Sequence, residues 1–375
     1  MASPAHAARA PRPGRWKPLG YLLAYLVPAL VPLSAWLGAI TGRHDAAAWV
    51  PLLVLFVLLP LADHAIGRDA SNPADDGEVA ALEARDGYRV LTLLALPVQL
   101  LLLGWSAWAF VTLPLGPLGQ AGWILSQGIV SGTFAITVAH ELIHKRGWLE
   151  PWAGGLLLAS VGYGTFKVEH VRGHHVHVAT PNDPSSAPQG MSVYPFIGRA
   201  LRRNAANAWW LEATRLRALG LPVLHWRNEL LWWSAATLAM AFALGGWLGA
   251  AGAAYFAAQA LLAICTLETI NYIEHYGLRR RRSAEGRYER PTHLHSWNSN
   301  HLLSNLMLFQ LQRHSDHHES ARRRYQALVH HEDSPQLPGG YALMFLLALC
   351  PPLWFRVIDP RVRAFEARLA ADPAL

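Results

Sequence analysis

Nine histidines fall in four tight groups of this chain: His140 and His144; His170, His174 and His175; His275; and His314, His317 and His318. Imidazole suits iron, zinc, copper or nickel. Rings four residues apart share one helix face, so repeated groups of this spacing predict a cage for more than one metal ion. A single H-x-x-x-H would be an ordinary helix-end pair, and four groups are another matter. The other ten histidines (His6, His44, His64, His177, His225, His293, His295, His301, His330 and His331) are looser. They read as solvent, interface or supporting positions, with His177, His293, His295 and His301 as the exceptions to watch.

The first group lies in HELIHK, where His140-Glu141-Leu142-Ile143-His144 also fits the zinc metalloprotease pattern. A protease site needs one further ligand and an open water position, whereas this chain offers seven more clustered histidines. In the second group His170 and His174 are expected on one helical face, with His175 reaching round to an adjacent direction. In the third, NYIEHYGL, one face carries Glu268, Asn271 or Tyr272, and His275. A carboxylate at membrane depth is costly unless paired, which makes Glu268 a functional candidate. In the fourth, LQRHSDHH, Asp316 is placed to orient a ring. Nine neutral imidazoles can give each of two metals four or five nitrogens and leave positions open for dioxygen. Two non-haem iron ions are the economical reading. Closed zinc sites prefer four ligands and thiolates, and copper electron-transfer sites need Cys or Met that are not placed here.

The elements that must hold these rings are membrane helices. Of 375 residues 52% are apolar and 15% charged, with the charges bunched between long apolar runs. Runs able to cross a hydrocarbon core of about 30 Å begin near Leu19–Ile40, Trp49–Ile66, Val90–Thr112, Gly119–Val138, Leu230–Leu244 and Ala250–Ile270. The expected fold is thus all-α, a polytopic membrane protein with six transmembrane helices and a histidine-rich catalytic portion on one side. Pro151–Phe166 is apolar but short and glycine-rich, as in a buried or re-entrant segment. Lys and Arg gather before the first span, between the second and third, and after the fourth and sixth, while Pro114–Leu118 and Gly245–Gly249 carry no charge. That asymmetry places both termini and every histidine box in the cytoplasm. Residues 1–18 read as a disordered basic tail rather than a removed signal peptide, 19–361 as the membrane domain and 362–375 as a C-terminal tail. Only Cys265 and Cys350 are present, with no C-x-x-C, which excludes a disulfide framework and an iron–sulfur centre within this chain. The formal charge of +7 is mostly the positive-inside signal, and no phosphate-cradling loop or nucleic-acid motif accompanies it.

HELIHK, EHVRGHHVHVATPNDP, NYIEHYGL, SWNSNH and LQRHSDHH together resemble the integral-membrane alkane 1-monooxygenases, from about Leu19 to Arg361. Desaturases and related lipid hydroxylases share boxes of the H-x-x-x-H and H-x-x-HH type. The separate NYIEHYGL box with His275 marks the alkane hydroxylase branch, along with the xylene monooxygenases. The resemblance implies six spans, an inner-membrane di-iron centre and terminal hydroxylation of a medium-to-long-chain n-alkane by dioxygen. It also implies ligand roles for His140, His144, His170, His174, His175, His275, His314, His317 and His318. Electrons would come from rubredoxin, itself reduced by a rubredoxin reductase that uses FAD and NADH. With no paired C-x-x-C in the chain, that donor is expected in trans. Two small departures, Ile143 where Gly is frequent and the extra His177, remove no ligand.

Glu141, Glu268, Glu274 and Asp316 are then the candidates for supporting or relaying protons at the metals, and Leu55 and Phe134 for walls of the alkyl channel. The rival readings are a related membrane di-iron desaturase or aryl-methyl (xylene) hydroxylase, and, from another class, a metal transporter or sensor without turnover. A transporter would bury its ligands at the bilayer midplane, whereas these lie at span ends and beyond.

Overall fold

The computed structural model describes Gly14 and residues 16–372, so most of the tail expected over residues 1–18 lies outside the described residues. Within them the chain is helical, and extended pairing is limited to isolated bridges such as Arg68 with His301. The principal helices are α1 (Lys17–Thr41), α2 (His44–Ile66), α3 (Asp86–Thr112), α4 (Pro117–Ile143), α5 (Leu149–Ser160), α6 (Val193–Ala218), α7 (Glu229–His275), α8 (His314–Glu319), α9 (Tyr341–Ala348) and α10 (Pro351–Ala371).

Five of these, α1 to α4 and α7, are long and apolar enough to cross a membrane. The 47 residues of α7 would measure about 70 Å if straight, but the helix breaks at Gly249, which has φ 71° and ψ −163°. Only glycine takes that conformation readily. A Cβ on Gly252 would meet the Leu244 carbonyl oxygen at 2.5 Å, and one on Gly245 would meet Ala253 Cβ at 3.4 Å. Residues eight apart therefore touch, the chain reverses, and α7 supplies two arms, 229–248 and 250–275. Six crossing-length arms result, matching the apolar runs of the sequence, with α4 extending several residues beyond Val138 to Ile143.

Helix α4 is the axis of the bundle: 78% of its most apolar stretch is buried, against 22% for α2. Small residues permit this. A Cβ on Gly128 would sit 2.4 Å from Leu262 Cβ, and one on Gly132 2.8 Å from Thr266 Cβ, so α4 and α7 approach backbone to backbone. The 12 residues of α5 are too few to span. They pack beside the end of α4, where Gly154 lies against Ile143.

The C-terminal segment corrects the sequence reading. Helices α9 and α10 meet at a 120° bend, at Cys350-Pro351-Pro352, where proline rings favour a helix start. Of the tail expected over residues 362–375, residues 362–371 are instead the second half of α10, and 373–375 lie outside the described residues. Trp354, Ile358, Val362 and Phe365 recur at helical spacing and are buried in the core, Val362 against Gly277.

A candidate dinuclear metal centre

The four histidine boxes converge beyond the ends of α4 and α7 into one buried cluster of nine rings. The cluster divides in two: His140, His144, His170, His175 and His317 form one group, and His174, His275, His314 and His318 the other. His170 and His174 share a face, their rings stacked with centroids 5.1 Å apart and planes 25° from parallel, yet they fall in different groups. Residues 170–174 form a π-turn, which also brings the side chains of residues five apart within reach of each other. His170 therefore pairs with His175, Nε2 to Nε2 at 3.1 Å, while His174 is turned across to His318 at 3.2 Å. Helix α8 likewise serves both groups. His314 and His318, one turn apart, meet at 3.0 Å, and His317 points to His175 at 3.2 Å.

These spacings fit a metal ion. With metal–nitrogen bonds of about 2.1 Å, neighbouring ligand atoms stand roughly 3.0 Å apart at a right angle and 3.4 Å at the tetrahedral angle. Five Nε2–Nε2 separations within the groups, 3.0 to 3.3 Å, fall in that window, and all ligand atoms of each group lie within 4.8 Å of one another. Without a cation the arrangement is poor, because inward-facing lone pairs repel and the Nε2 atoms of His140 and His144 are buried with no hydrogen-bond partner. Burial, followed by the charge of neighbouring rings, holds His144, His170, His175, His314, His317 and His318 well below the ordinary histidine pKa. They are kept neutral, the form that coordinates a metal.

Residues that sequence reasoning did not single out hold the rings. Asp183 Oδ2 accepts from His174 Nδ1 at 3.0 Å and from Ser186 Oγ at 2.6 Å, while its Oδ1 accepts from the Ser185 amide at 3.0 Å. Burial opposes the charge of both partners. Their mutual attraction and hydrogen bond outweigh it, raising the His174 pKa and lowering that of Asp183. A carboxylate on one ring nitrogen fixes the tautomer and aims the other nitrogen at the metal. His275 Nδ1 is aimed similarly, 3.4 Å from the His295 carbonyl oxygen. The short helix α8 is clamped on both sides. Arg313, wholly buried, donates to the carbonyls of Leu328, Asp69 and Ser71, and Asn298 Oδ1 accepts the Ser315 amide at 2.9 Å. The latter gives the SWNSNH motif a structural role. A signal for Asp183 was present, since an Asp beside a histidine box has the right chemistry, but it lies nine positions after His174 across a change from helix to turns, and sequence spacing does not show the contact.

The four candidate carboxylates separate. Glu274 reaches the centre: its Oε2 lies 3.2 Å from His314 Nε2, and its Oε1 accepts from Tyr341 Oη at 2.7 Å. Glu268 is wholly buried one layer away, where Tyr163, Asn204 and Asn271 saturate it, so it ties α6 and α7 together. Glu141 pairs with Lys145 at 2.9 Å and accepts the Tyr325 amide. Asp316 receives Arg323, His331 and the Val329 amide, so the ring it orients is His331 rather than a member of the nine.

A narrow, mostly apolar cavity leads from the membrane arms to this centre. Leu55, Phe56, Leu59, Leu267, Ile270 and Phe345 are among its apolar walls, and His140, Asn271, Glu274 and Tyr341 stand at its polar end. Leu55 lines it. Phe134 does not, and its ring meets Tyr25 edge-on at 5.2 Å. The wall of α4 is made instead by Gly132, Thr133, Ile136 and Thr137, on the side of His140.

Residues 115–348 match the model of the fatty acid desaturase family. The chain is 53% identical to alkane 1-monooxygenase 2 of Pseudomonas aeruginosa over 94% of each chain, and 48% identical to alkane 1-monooxygenase 2 of Alcanivorax borkumensis over 94% of this chain and 92% of that one. It is also 31% identical to the hydroxylase component of the xylene/toluene monooxygenase of Pseudomonas putida, over 68% of both. With the nine-ring cluster in place and identities of this extent, the chain belongs to the fatty acid desaturase family, on the branch of the alkane 1-monooxygenases.

Proposed function

We propose that this protein is a non-haem di-iron alkane 1-monooxygenase, which converts a medium-to-long-chain n-alkane, dioxygen, two electrons and two protons into a 1-alkanol and water. The observation that carries the reading is the apolar cavity that ends on His140 and Glu274. A linear hydrocarbon offers no polar handle, so a greasy slot that closes on the metal-binding rings is what would present its terminal carbon. Two irons, held by the five-ring and four-ring groups, would supply the activation of dioxygen. The protein's part is to exclude water with Leu55, Phe56, Leu59 and Phe345, and to keep the ring nitrogens neutral and aimed. Tyr341 fixes Glu274 so that Oε2, beside His314, is a place to hold a proton at the cavity end. Gas chromatography of products after feeding octane, hexadecane, a fatty acid or xylene tests the reading. Terminal alkanols are expected, and desaturated acids or benzylic alcohols alone would refute it.

Leu55 then sets how far the alkane slides in. Leu55→Trp is expected to shift the product distribution from a mixture of octane to hexadecane toward the shorter chains, by about tenfold for the longest, the scale of a few methylenes refused by an apolar pocket. Phe134→Ala, off the cavity wall, is the matched control. An unchanged distribution in Leu55→Trp would remove Leu55 from the channel.

Several apolar helices make this a multi-pass membrane protein. The charge asymmetry of the loops supports the inner membrane, with both termini and the metal centre cytoplasmic. Electrons would arrive from rubredoxin in trans, reduced by its FAD- and NADH-dependent reductase. Among the basic residues beyond α7 and α8, Arg280, Arg323 and Arg324 are engaged internally, by Val176 and Glu289, by Asp316 and by Glu150. Arg279, Arg281, Arg282 and Arg322 are exposed, Arg282 while donating from Nε to the Gly286 carbonyl at 2.7 Å, and their charges can steer an acidic donor. Replacing these four by Gln is expected to slow rubredoxin-dependent turnover several-fold at low ionic strength and to flatten its salt dependence. Unchanged rates with weakened membrane association would assign them to anionic lipid instead.

A further inference from the structure

A second set of ligand-type side chains stands apart from the nine rings. His293 opens the short turn His293–His295 and faces His331 and Asp333 on the irregular segment after Leu328. One ring nitrogen or carboxylate oxygen from each of the three lies within 4.8 Å of the other two. Each ring also has a nitrogen engaged by a carboxylate of α8: His293 Nδ1 with Glu319 Oε2 at 2.8 Å, and His331 Nε2 with Asp316 Oδ1 at 3.0 Å. A carboxylate on one nitrogen is the arrangement that fixes a ligand imidazole's tautomer. It leaves His293 Nε2 and His331 Nδ1 to coordinate, and Asp333 Oδ2 already lies 2.8 Å from the former. Side-chain exposures of 22% for His293, 23% for His331 and 39% for Asp333 leave an ion a path from solvent.

We propose that His293, His331 and Asp333 form a third metal site, for a single divalent ion of the zinc class. Two imidazoles and a carboxylate are a donor set that zinc accepts, with water in the fourth position. The rings now stack, with centroids 4.4 Å apart and planes 10° from parallel. Because an ion lies in the plane of each ligating ring, binding turns them out of that stack, and partly exposed side chains on a short turn and an irregular segment can make the move. The ion would tie the turn at 293–295 and the segment after Leu328 to Asp316 and Glu319 of α8, the helix that also carries His314, His317 and His318. The site is thus a clamp on the catalytic box from outside, and its occupancy does not depend on the reaction assigned to the nine rings.

The test is zinc stoichiometry on the iron-loaded, full-length protein in detergent. After equilibration with zinc chloride and gel filtration, the wild type is expected to carry one zinc per chain more than His293→Ala/Asp333→Ala, at equal iron content. Asp333→Asn keeps the size of the side chain while removing the anionic oxygen, so it serves if the double variant fails to fold. It too is expected to lack that zinc and to lose the zinc-dependent rise in melting temperature of the wild type. Equal zinc in wild type and Asp333→Asn, with equal melting shifts, would overturn the proposal. His293 would then be a cation pinched between Glu319 and Asp333.

Discussion

His275→Ala is expected to bring alkane hydroxylation to background and to reduce bound iron from about two ions per chain to about one. The reason is the unequal division of the rings. His140, His144, His170, His175 and His317 make a five-nitrogen group that does not include His275, whereas His174, His314 and His318 are all that remain of the other group. His275 is wholly buried, and its Nε2 stands 3.3 Å from that of His314. The variant leaves three inward lone pairs and a vacated space in place of a four-nitrogen site, and an ion short of a ligand is lost or mis-tuned. Iron by mass spectrometry and octanol by gas chromatography on the purified, correctly sized variant decide the matter. A helix-end histidine at an interface would leave both at wild-type levels, and that result would withdraw the ligand assignment. Loss of both ions would show instead that the two groups assemble only together.

What the sequence made legible is what recurs along the chain. The nine rings were readable because imidazoles at intervals of three and four in a membrane protein have few other uses, and six arms were readable from apolar run length. What could not be read is what depends on helical phase and on contacts between distant segments. The division of the rings between two groups was not readable, because nothing in VRGHH announces the π-turn that brings His175 back to His170 while His174, stacked on His170, reaches across to His318. Phe134 was misplaced by its angle on α4, although its depth along the helix was right. The second half of α10 reads as a tail because Val362 and Phe365 alternate with Asp359, Arg361 and Arg363, and a charged stripe conceals an apolar one until the turn is wound. Tyr341 and Phe345 went unnoticed because α9, at eight residues, is too short to read as a span, yet it closes the cavity.

Asp183 is the clearest residue of this second kind, and Asp183→Asn is expected to lower iron affinity and hydroxylation by about 10- to 100-fold, the range for carboxylates that orient a ligand histidine. Both of its oxygens are acceptors in use, Oδ1 for the Ser185 amide and Oδ2 for His174 Nδ1 and Ser186 Oγ. An asparagine of the same shape has only one acceptor end. If its NH₂ faces Ser185, two donors oppose each other in a buried site, a loss of about 1–3 kcal/mol. If its NH₂ faces His174, the ring must put its hydrogen on Nε2, which lies 3.2 Å from His318 Nε2, and so points a donor where the metal needs a lone pair. Either way His174 is the ring affected, and it belongs to the four-ring group only. Mössbauer spectra of the iron-57 enzyme are therefore expected to change in one of two doublets, a response that general loosening of the loop would not give. Ser186→Ala, which removes a neighbour of Asp183 but keeps its charge, is expected to leave both doublets in place. If Asp183→Asn holds iron as tightly as the wild type, with both doublets unmoved and full turnover, Asp183 does not position the metal ligand.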